Sequence, residues 1–462
     1  MKIEFPKDFL WGVATSSCQI EGSANIDGKV DSVWDTYADA GKCLKGDTPR
    51  VACDHYHRYK EDVALMKELG VKVYRFSICC PRLISYIKGT VNEKGLEFYS
   101  NLVDELIAAG IEPWITLFHW DLPQYLQDAF GGFLSRDIVG YFQYYTEVMV
   151  KALGDRVKHW MPINEPDNAT TFSYGFPWMP PGPVVGEKKT ANSIHHINLC
   201  HGIAVKTIKE LCPDAKVGCA FDCAAYYPRE DCDDNWALIE QEWKYENGYF
   251  LDPMFFGKYP DCSFRNWHDG YPDIEHGDME LLNHPIDFLG INQYYGYVLK
   301  IDGRGHNGYN FYVREHNDLP NSCMGITPDM FYYLLKYLHR HYPIKELYVT
   351  ENGNAWTTDT EEEQLKDDYR IDFIKMHLSS VRKAMDEGYF VNGYFHWSFI
   401  DNFEWGSGYK WKFGLVHLGE DLKREPKKSF WWYKDLIKNN SFEKDREYSN
   451  NENPQLIFWN KK

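Results

Sequence analysis

Eight short apolar runs, separated by segments with a helical pattern, constrain the fold of this chain more than any other feature. Each run has the length and the apolar or alternating character of a β-strand. Strands that alternate with helices form parallel sheets, and eight is the number that closes a (β/α)8 barrel. We therefore predict an α/β fold, a single-domain (β/α)8 TIM barrel with long βα loops over residues 1–462. The runs span residues 9–15, 71–78, 112–118, 157–164, 216–222, 287–292, 346–352 and 393–399.

The segments between these runs carry apolar residues at helical spacing. Three of them, residues 55–70, 95–110 and 370–388, each end at a glycine, which is a common helix stop. An open doubly wound sheet is the alternative arrangement of such elements. We favour the barrel because no glycine-rich phosphate loop follows the first strand.

A barrel of this kind needs only about 250 residues, whereas the chain has 462. The surplus falls in three long segments, residues 16–54, 165–190 and 295–330, each of which follows the carboxyl end of a predicted strand. The last is rich in Gly, Asn and His and has no periodicity, so we predict an irregular surface loop there. The carboxyl ends of the strands are also the face where such barrels carry out chemistry.

The composition narrows the class of partner. Aromatic residues make up 16% of the chain, with 16 Trp and 33 Tyr, which fits either a Trp-rich core or the binding of sugar rings on flat apolar faces. The net charge of −18 argues against nucleic acid and anionic membranes, which select basic surfaces. We therefore expect a small-molecule substrate, no nucleic acid and no membrane partner. The sequence carries no prediction of the oligomeric state.

Location and metal content are predicted from the cysteines and the N-terminal segment. The first residues, MKIEFPKDFLWG, lack the features of a signal peptide, and no apolar run is long enough to span a bilayer. The 12 cysteines are then expected to be free thiols in a reducing cytoplasm. Their spacing matches no zinc pattern, so we expect no metal site.

Polar residues are concentrated at the ends of the predicted strands, where a purely structural design does not require them. In a closed barrel these ends form one ring, so Glu165 and Glu351 would face each other across one pocket. A pair of facing carboxylates, one a proton donor and one a nucleophile, is what glycoside hydrolysis requires. Taken singly, each glutamate would be interpreted as a solvated loop acid. The ring comprises Gln19, Arg75, His119, Trp120, Asn164, Glu165, Asn292, Tyr294, Glu351 and Trp397.

The segment MPINEPD, residues 161–167, predicts how Glu165 is presented. Pro166 cannot donate to a strand ladder, and it disfavours the helical conformation for the residue that precedes it. We therefore expect Glu165 to be held in an extended conformation at the mouth of the fourth strand.

Seven motifs give the sequence a family resemblance. They are FLWGVATSSCQIEG (9–22), YRFSI (74–78), LFHWDLPQ (117–124), INEP (163–166), DFLGIN (287–292), VTENG (349–353) and HWSFIDNFEW (396–405). In register from Phe5 to about Trp432, the chain resembles glycoside hydrolase family 1, the β-glucosidase family. The resemblance implies a retaining β-glycosidase with a (β/α)8 barrel and no metal or organic cofactor. Such an enzyme would act on terminal β-D-glucosyl residues, or on galactosyl or fucosyl residues, through a covalent glycosyl-enzyme.

The same resemblance implies a role for each site residue. Glu165 would be the general acid/base and Glu351 the nucleophile. Arg75 would lower the pKa of Glu351 and keep it ionised, whereas burial and the charge of Glu351 would raise the pKa of Glu165. Asn292 would be a catalytic support residue, and Asn164 would bind the 2-hydroxyl. The remaining implied sugar-binding residues are Gln19, His119, Trp120, Tyr294, Trp397, Glu404 and Trp405.

The chain departs from the family pattern mainly around the leaving-group side. We therefore expect ordinary chemistry with an unusual preference for the leaving group, the aglycone. Phe172, Trp178 and Met324 are the candidate residues on that side, with Met179 beside them. The departures are Cys18, Cys80, Pro162, Asp167, Met324 and Lys412.

Three other functions stay open on the sequence. A 6-phospho-β-glycosidase would need a phosphate site, which Glu404 would repel but which nearby cations keep possible. A transglycosidase would use the same residues, and a non-catalytic sugar-binding barrel would be favoured by the loss of either carboxylate. The cations are Lys410, Lys412, Lys423, Arg424, Lys427 and Lys428.

Overall fold

Eight parallel strands form a closed barrel, as predicted. The computed structural model describes residues 1–84, 90–228, 232–301, 309–313, 322–327, 329–358 and 360–444. In chain order the barrel strands are neighbours, and β8 pairs with β1 to close the sheet. They are β1 (Leu10–Ala14), β2 (Val73–Ser77), β3 (Glu112–Phe118), β4 (His159–Ile163), β5 (Lys216–Asp222), β6 (Phe288–Asn292), β7 (Leu347–Asn352) and β8 (Gly393–Trp397).

Helices connect these strands, and the three predicted from periodicity are all present. They span His55–Leu69, Glu93–Ala109 and Asp368–Asp386. The first two end at glycines in the left-handed conformation, with φ of 87° at Gly70 and 79° at Gly110. The other long helices are Ile138–Leu153, Glu187–Leu211, Asp233–Tyr245, Gly248–Phe256, Met330–His341 and Lys428–Asn439. Short helices are Ser17–Ile20, Val33–Asp39, Cys80–Leu83, Gln124–Phe130, Pro166–Thr170, Asp278–Leu282 and Glu361–Lys366.

Among the described residues, three small sheets lie outside the barrel. Lys2–Glu4 pairs with Ser441–Glu443, and Val416–Leu418 pairs with Arg424–Pro426. The third sheet consists of Tyr226–Pro228, Tyr297–Ile301 and Tyr309–Val313.

The third of these sheets corrects the prediction for residues 295–330. Tyr297–Ile301 and Tyr309–Val313 are antiparallel strands, so this segment is not irregular throughout. Both strands are rich in aromatic and β-branched residues, which suit a sheet, but the Gly and Asn residues between them hid that signal. Residues 302–308, 314–321 and 328 lie outside the described residues.

Large apolar side chains fill the barrel interior. Trp114 and Phe395 are fully buried and meet edge to face, with ring centroids 5.1 Å apart. The same interior cluster includes Val73, Met161, Ala220, Phe288 and Tyr348. The barrel is therefore a packed core and not a pore, as is usual for this architecture. In the part of the chain that the structure describes, no helix combines the length and apolarity that a bilayer crossing requires.

Candidate active site

The carboxyl ends of the strands carry the polar residues that the sequence analysis singled out. Asn292, at the end of β6, is in register with Asp222 of β5 on one side and with Glu351 of β7 on the other. Asn164 follows β4 and bridges to Ala220 of β5. The ring of strand ends therefore brings side chains from distant parts of the sequence into one site.

Glu165 does not have the extended conformation that the sequence predicted. Its φ of 42° and ψ of 73° lie in the left-handed region, which is costly for a residue with a side chain. The backbone turns here because β4 ends at Ile163 and Pro166 opens the next helix. The Glu165 N–H donates to the Ala220 carbonyl at 2.9 Å, and the Glu165 carbonyl accepts from the N–H of Asn168 at 3.2 Å. Both bonds hold the turn that directs the carboxyl group into the site.

Glu165 and Glu351 are both buried, with 5% and 2% of their surface exposed, and their hydrogen-bond partners differ in charge. Glu351 receives hydrogen bonds from the guanidinium of Arg75 on Oε1 and from the hydroxyl of Tyr294 on Oε2. Glu165 receives only amide donors among the described residues: Asn292 Nδ2 lies 2.6 Å from Oε1, and Asn168 Nδ2 lies 2.9 Å from Oε2. The cation therefore contacts one carboxylate of the pair.

The electrostatic environments of the two carboxyl groups differ. Burial, followed by the charge of Glu351, raises the pKa of Glu165 to about 8. Burial also raises the pKa of Glu351, against the opposing effects of Arg75 and Tyr294. The predicted lowering by Arg75 is present, but burial outweighs it, so the net shift of the Glu351 pKa is upward. Since Arg75 contacts Glu351 directly, the proton shared by this coupled pair belongs on Glu165.

Asn164 and Asn292 connect the two carboxylates to each other. Asn292 Nδ2 donates to Asn164 Oδ1 at 2.8 Å as well as to Glu165, and Arg75 also donates to Asn164 Oδ1. The Asn164 Nδ2 lies 3.2 Å from Nε2 of His119, whose pKa burial and Arg75 hold well below its usual range. The imidazole is therefore neutral, and the whole network is fixed without a second cation.

A second group of site residues surrounds Gln19. Its Nε2 donates to Asn402 Oδ1 at 2.9 Å, to the Phe403 carbonyl at 2.8 Å and to Glu404 Oε2 at 3.3 Å. Within the described residues, buried Glu404 Oε1 and His119 Nδ1 have no hydrogen-bond partner. Buried polar atoms without a partner are unusual in a protein, and the hydroxyl groups of a bound sugar would satisfy them.

Aromatic rings line the same part of the site. His119 lies nearly parallel to Trp397 and Trp405, with centroid distances of 5.8 and 6.0 Å. Trp120 packs on Trp405 at 4.7 Å, and its indole N–H donates to the backbone carbonyl of Asn164 at 3.0 Å. These contacts bring the predicted sugar-binding residues together in one place.

The predicted aglycone residues form two separate groups. Phe172 stacks on Trp178 with centroids 5.0 Å apart, and Phe176 also stacks on Trp178, at 5.2 Å, with its centroid 6.3 Å from that of Phe172. Trp178 is half exposed. Met324 instead packs beside Tyr294 against the cluster that contains Trp397.

Two of the departures from the family pattern have partners in the structure. Asp167 Oδ2 accepts from Nη2 of Arg265 at 3.4 Å, and that guanidinium lies 5.4 Å from the ring centroid of Phe172. Asp167 therefore holds the guanidinium group that packs against the Phe172 ring. The Cys80 thiol lies 3.4 Å from the hydroxyl of Tyr141.

The sequence analysis missed two residues of the site, Asn168 and Asp222. Asn168 Nδ2 lies 2.9 Å from Glu165 Oε2 and 3.4 Å from Asp222 Oδ2. Asp222 ends β5, so the rule that polar strand ends form the site would have found it. Asn168 lies three residues after Glu165 in the helix that follows, a spacing that places both on one face.

Among the described residues, no group of three or more His, Cys, Asp or Glu side chains is arranged to hold a metal ion. The buried acids of the site are instead bound by Asn amides, a guanidinium and a phenol.

Comparisons with known proteins agree with this architecture. The model of glycosyl hydrolase family 1 matches residues 1–442. Beta-glucosidase A of Acetivibrio thermocellus is 38% identical over 449 residues, which cover 96% of this chain and 100% of that protein. Aryl-phospho-beta-D-glucosidase BglC of Bacillus subtilis is 38% identical over 471 residues, with coverage of 94% and 98%. The structure of a beta-glucosidase from Thermotoga maritima in complex with glucoimidazole superimposes with a TM-score of 0.87 at 37% identity, with coverage of 95% and 99%.

Proposed function

The chain belongs to glycosyl hydrolase family 1, and from this membership and the geometry of the site we propose that it is a retaining β-glucosidase. It releases terminal non-reducing β-D-glucosyl residues by double displacement. Galactosyl and fucosyl residues are further candidates for the sugar. Residues 1–462 act as one catalytic domain, which the pairing of Lys2–Glu4 with Ser441–Glu443 supports.

The observation that carries the proposal is the different environment of the two buried glutamates. Arg75 and Tyr294 hold Glu351 as a carboxylate, ready to act as a nucleophile. Glu165 has a pKa of about 8 and therefore holds a proton near neutral pH, ready to act as an acid. A proton donor and a nucleophile on one site are the two groups that a retaining glycosidase needs.

In the first step, the carboxylate of Glu351 attacks the anomeric carbon while Glu165 gives its proton to the glycosidic oxygen. The bond to the aglycone breaks, and the sugar becomes an ester of Glu351. Because this ester is neutral, the charge that raised the pKa of Glu165 is gone, and its pKa falls. In the second step Glu165 takes a proton from water, which attacks the anomeric carbon and releases Glu351.

The sugar ring lies on the aromatic side of the site. Trp397 forms the floor under the ring, and Asn164 binds the 2-hydroxyl, a contact that strengthens in the transition state. Among the described residues, His119 Nδ1 and Glu404 Oε1 are buried without a hydrogen-bond partner, which supports the binding of sugar hydroxyl groups there. The other sugar-binding residues are Gln19, Trp120, Tyr294 and Trp405.

A 6-phosphorylated sugar is the second candidate, because one relative is named an aryl-phospho-β-glucosidase. One observation argues against it: most of the nearby cations already pair with acids of this chain. The pairs are Lys423–Glu425, Arg424–Asp62, Lys427–Asp401 and Lys428–Asp368.

The test is hydrolysis of 4-nitrophenyl β-glucoside by the wild type and by Glu351→Gln. We expect turnover by the wild type and a loss of at least about 10³-fold in the variant, because the nucleophile is gone. A panel of β-glucosides, β-galactosides, β-fucosides and 6-phospho-β-glucosides then ranks the sugars. Activity only on the phosphorylated sugars would replace the proposal with the second candidate, and an inactive wild type would favour a sugar-binding barrel. Product analysis at high substrate concentration separates hydrolysis from transglycosylation.

We also propose a cytoplasmic location. All twelve cysteines are free thiols in the structure, and eight of them are buried. Free thiols in this number suit a reducing compartment. Fractionation of the native cells with an activity assay tests the location, and activity confined to the medium would contradict it.

A further inference from the structure

Asn168 has a contact pattern that the proposed mechanism does not yet use. Its amide nitrogen lies 2.9 Å from Oε2 of Glu165 and 3.4 Å from Oδ2 of Asp222. An asparagine NH2 group has two hydrogens, so it can donate to both carboxyl groups at once. The side-chain amide therefore connects the acid/base glutamate to a second buried acid.

Asp222 determines which end of the Asn168 amide faces Glu165. An asparagine can present either its NH2 group or its carbonyl oxygen, and the choice follows from its partners. Oδ2 of Asp222 accepts from the Asn168 nitrogen at 3.4 Å, so this contact favours the NH2 orientation. Without Asp222, the amide could turn over and present its oxygen to Glu165.

Both residues are held in place by the fold. The N–H of Asn168 donates to the Glu165 carbonyl, and the Asn168 carbonyl accepts from the Ser173 hydroxyl at 2.9 Å. Asp222 is in register with Asn292 in the barrel. The charged groups around this pair are Glu351, Arg75, Asp167 and Arg265, and burial followed by Glu165 and Asp167 raises the pKa of Asp222.

We propose that Asn168 is a positioning residue for the carboxylate form of Glu165 in the second step of the reaction, and that Asp222 is the anchor that orients it. This inference rests on the proposed glycosidase function. It assigns both residues to the base-catalysed hydrolysis of the glycosyl-enzyme.

We assign Asn168 to the second step because of the direction of its hydrogen bond to Glu165. A donor to a carboxylate oxygen stabilises the ionised form and fixes its orientation. Glu165 must be ionised when it takes the proton from water. In that step, water attacks the anomeric carbon, its proton passes to Glu165, and the ester bond to Glu351 breaks to regenerate the carboxylate.

The test uses 2,4-dinitrophenyl β-glucoside, whose leaving group departs without a proton donor. For this substrate kcat/KM reports the first step and kcat reports the second. For Asn168→Ala we expect kcat to fall about tenfold or more, with kcat/KM within about threefold of the wild type. The retained kcat/KM also shows that the variant folds.

Sodium azide identifies the defective step. Azide attacks the same anomeric carbon to give glucosyl azide, and it needs no base because it carries no proton. We expect azide to restore kcat of Asn168→Ala and to leave the wild type unchanged. Asp222→Asn should show a smaller loss of kcat that azide also restores, because an asparagine at 222 no longer forces the NH2 orientation.

The matched control is Asn192→Ala, which removes an Asn–Asp hydrogen bond of 2.9 Å to Asp273 at the surface. It should have wild-type kcat with and without azide. An Asn168→Ala variant with unchanged kcat, or with equal losses in kcat and kcat/KM that azide does not restore, would overturn the inference. An inactive wild type would instead overturn the proposed function, so the two failures are distinct.

Discussion

The amide nitrogen of Asn292 lies 2.6 Å from Oε1 of Glu165 and also donates to Asn164 at 2.8 Å. Asn292 accepts in turn from the hydroxyl of Thr350 at 2.8 Å. One asparagine of β6 thus fixes the acid/base residue and the residue that binds the 2-hydroxyl in the proposed mechanism. The carboxyl group of Glu165 is oriented by β6, which lies two strands along the barrel from β4, as well as by its own loop.

Replacement of Asn292 by alanine should therefore lower kcat/KM for 4-nitrophenyl β-glucoside by about 10- to 100-fold. The reason is that both Glu165 and Asn164 lose a buried donor. Steady-state kinetics with thermal denaturation of the same sample measure the effect. Activity within about twofold of the wild type, at unchanged stability, would show that Asn292 does not orient the pair.

The pH dependence of kcat/KM should follow the proton on Glu165. Its pKa is raised to about 8, so the acid form is present below that pH and is lost as the pH rises through it. We expect kcat/KM for an alkyl β-glucoside, which needs the acid, to fall above pH 8. With 2,4-dinitrophenyl β-glucoside the decline should be much weaker. Equal declines for the two substrates would mean that another group is titrated.

Trp178→Ala should change the preference for the aglycone. Trp178 is half exposed and stacks with both Phe172 and Phe176, so an aromatic aglycone can stack on the group that these rings form. We expect kcat/KM for aryl β-glucosides to fall about 3- to 10-fold, with methyl β-glucoside nearly unaffected. Trp431→Ala removes another exposed tryptophan on the Lys428–Asn439 helix and is the matched control. Equal losses for both substrate types would place Trp178 outside the aglycone site.

Asp121 should make the stability of the protein depend on pH. It is fully buried, its Oδ1 has no partner among the described residues, and burial raises its pKa to about 7. Because the folded pKa exceeds the unfolded one, its contribution to stability is present at low pH and is lost as the pH rises toward 7. The free energy of unfolding of Asp121→Asn, relative to that of the wild type, should therefore rise by on the order of 1–2 kcal/mol as the pH increases from 5 to 8. Thermal denaturation at both pH values measures the gain, and a difference that does not change with pH would contradict it.

Much of this fold follows from local patterns in the sequence. The eight barrel strands are apolar runs of ordinary strand length, and Gly70 and Gly110 end their helices in the left-handed conformation that glycine allows. The residues at seven of the eight strand ends were singled out because polar groups there have no structural purpose. Residues 297–301 and 309–313 were missed as strands because the Gly and Asn residues between them dominate the composition of that segment.

The parts of the site that the sequence did not predict depend on contacts between distant segments. Glu165 was expected to be extended from the proline rule, but the Ala220 carbonyl of the next strand holds it in a left-handed turn. The pKa of Glu351 depends on how deeply it is buried, which no local pattern reveals. Asn168 and Asp222 acquire a role only when β5 brings Asp222 beside the helix that follows Glu165.

The most direct test of the central claim is the identity of the residue that becomes covalently attached to the sugar. Incubation with 2,4-dinitrophenyl 2-deoxy-2-fluoro-β-glucoside should slow the second step and trap the glycosyl-enzyme, and mass spectrometry of the digested protein locates the sugar. We expect one 2-deoxy-2-fluoroglucosyl group per chain, attached to Glu351. Attachment at Glu165 or at another residue, or turnover of ordinary β-glucosides with no trapped sugar, would contradict it.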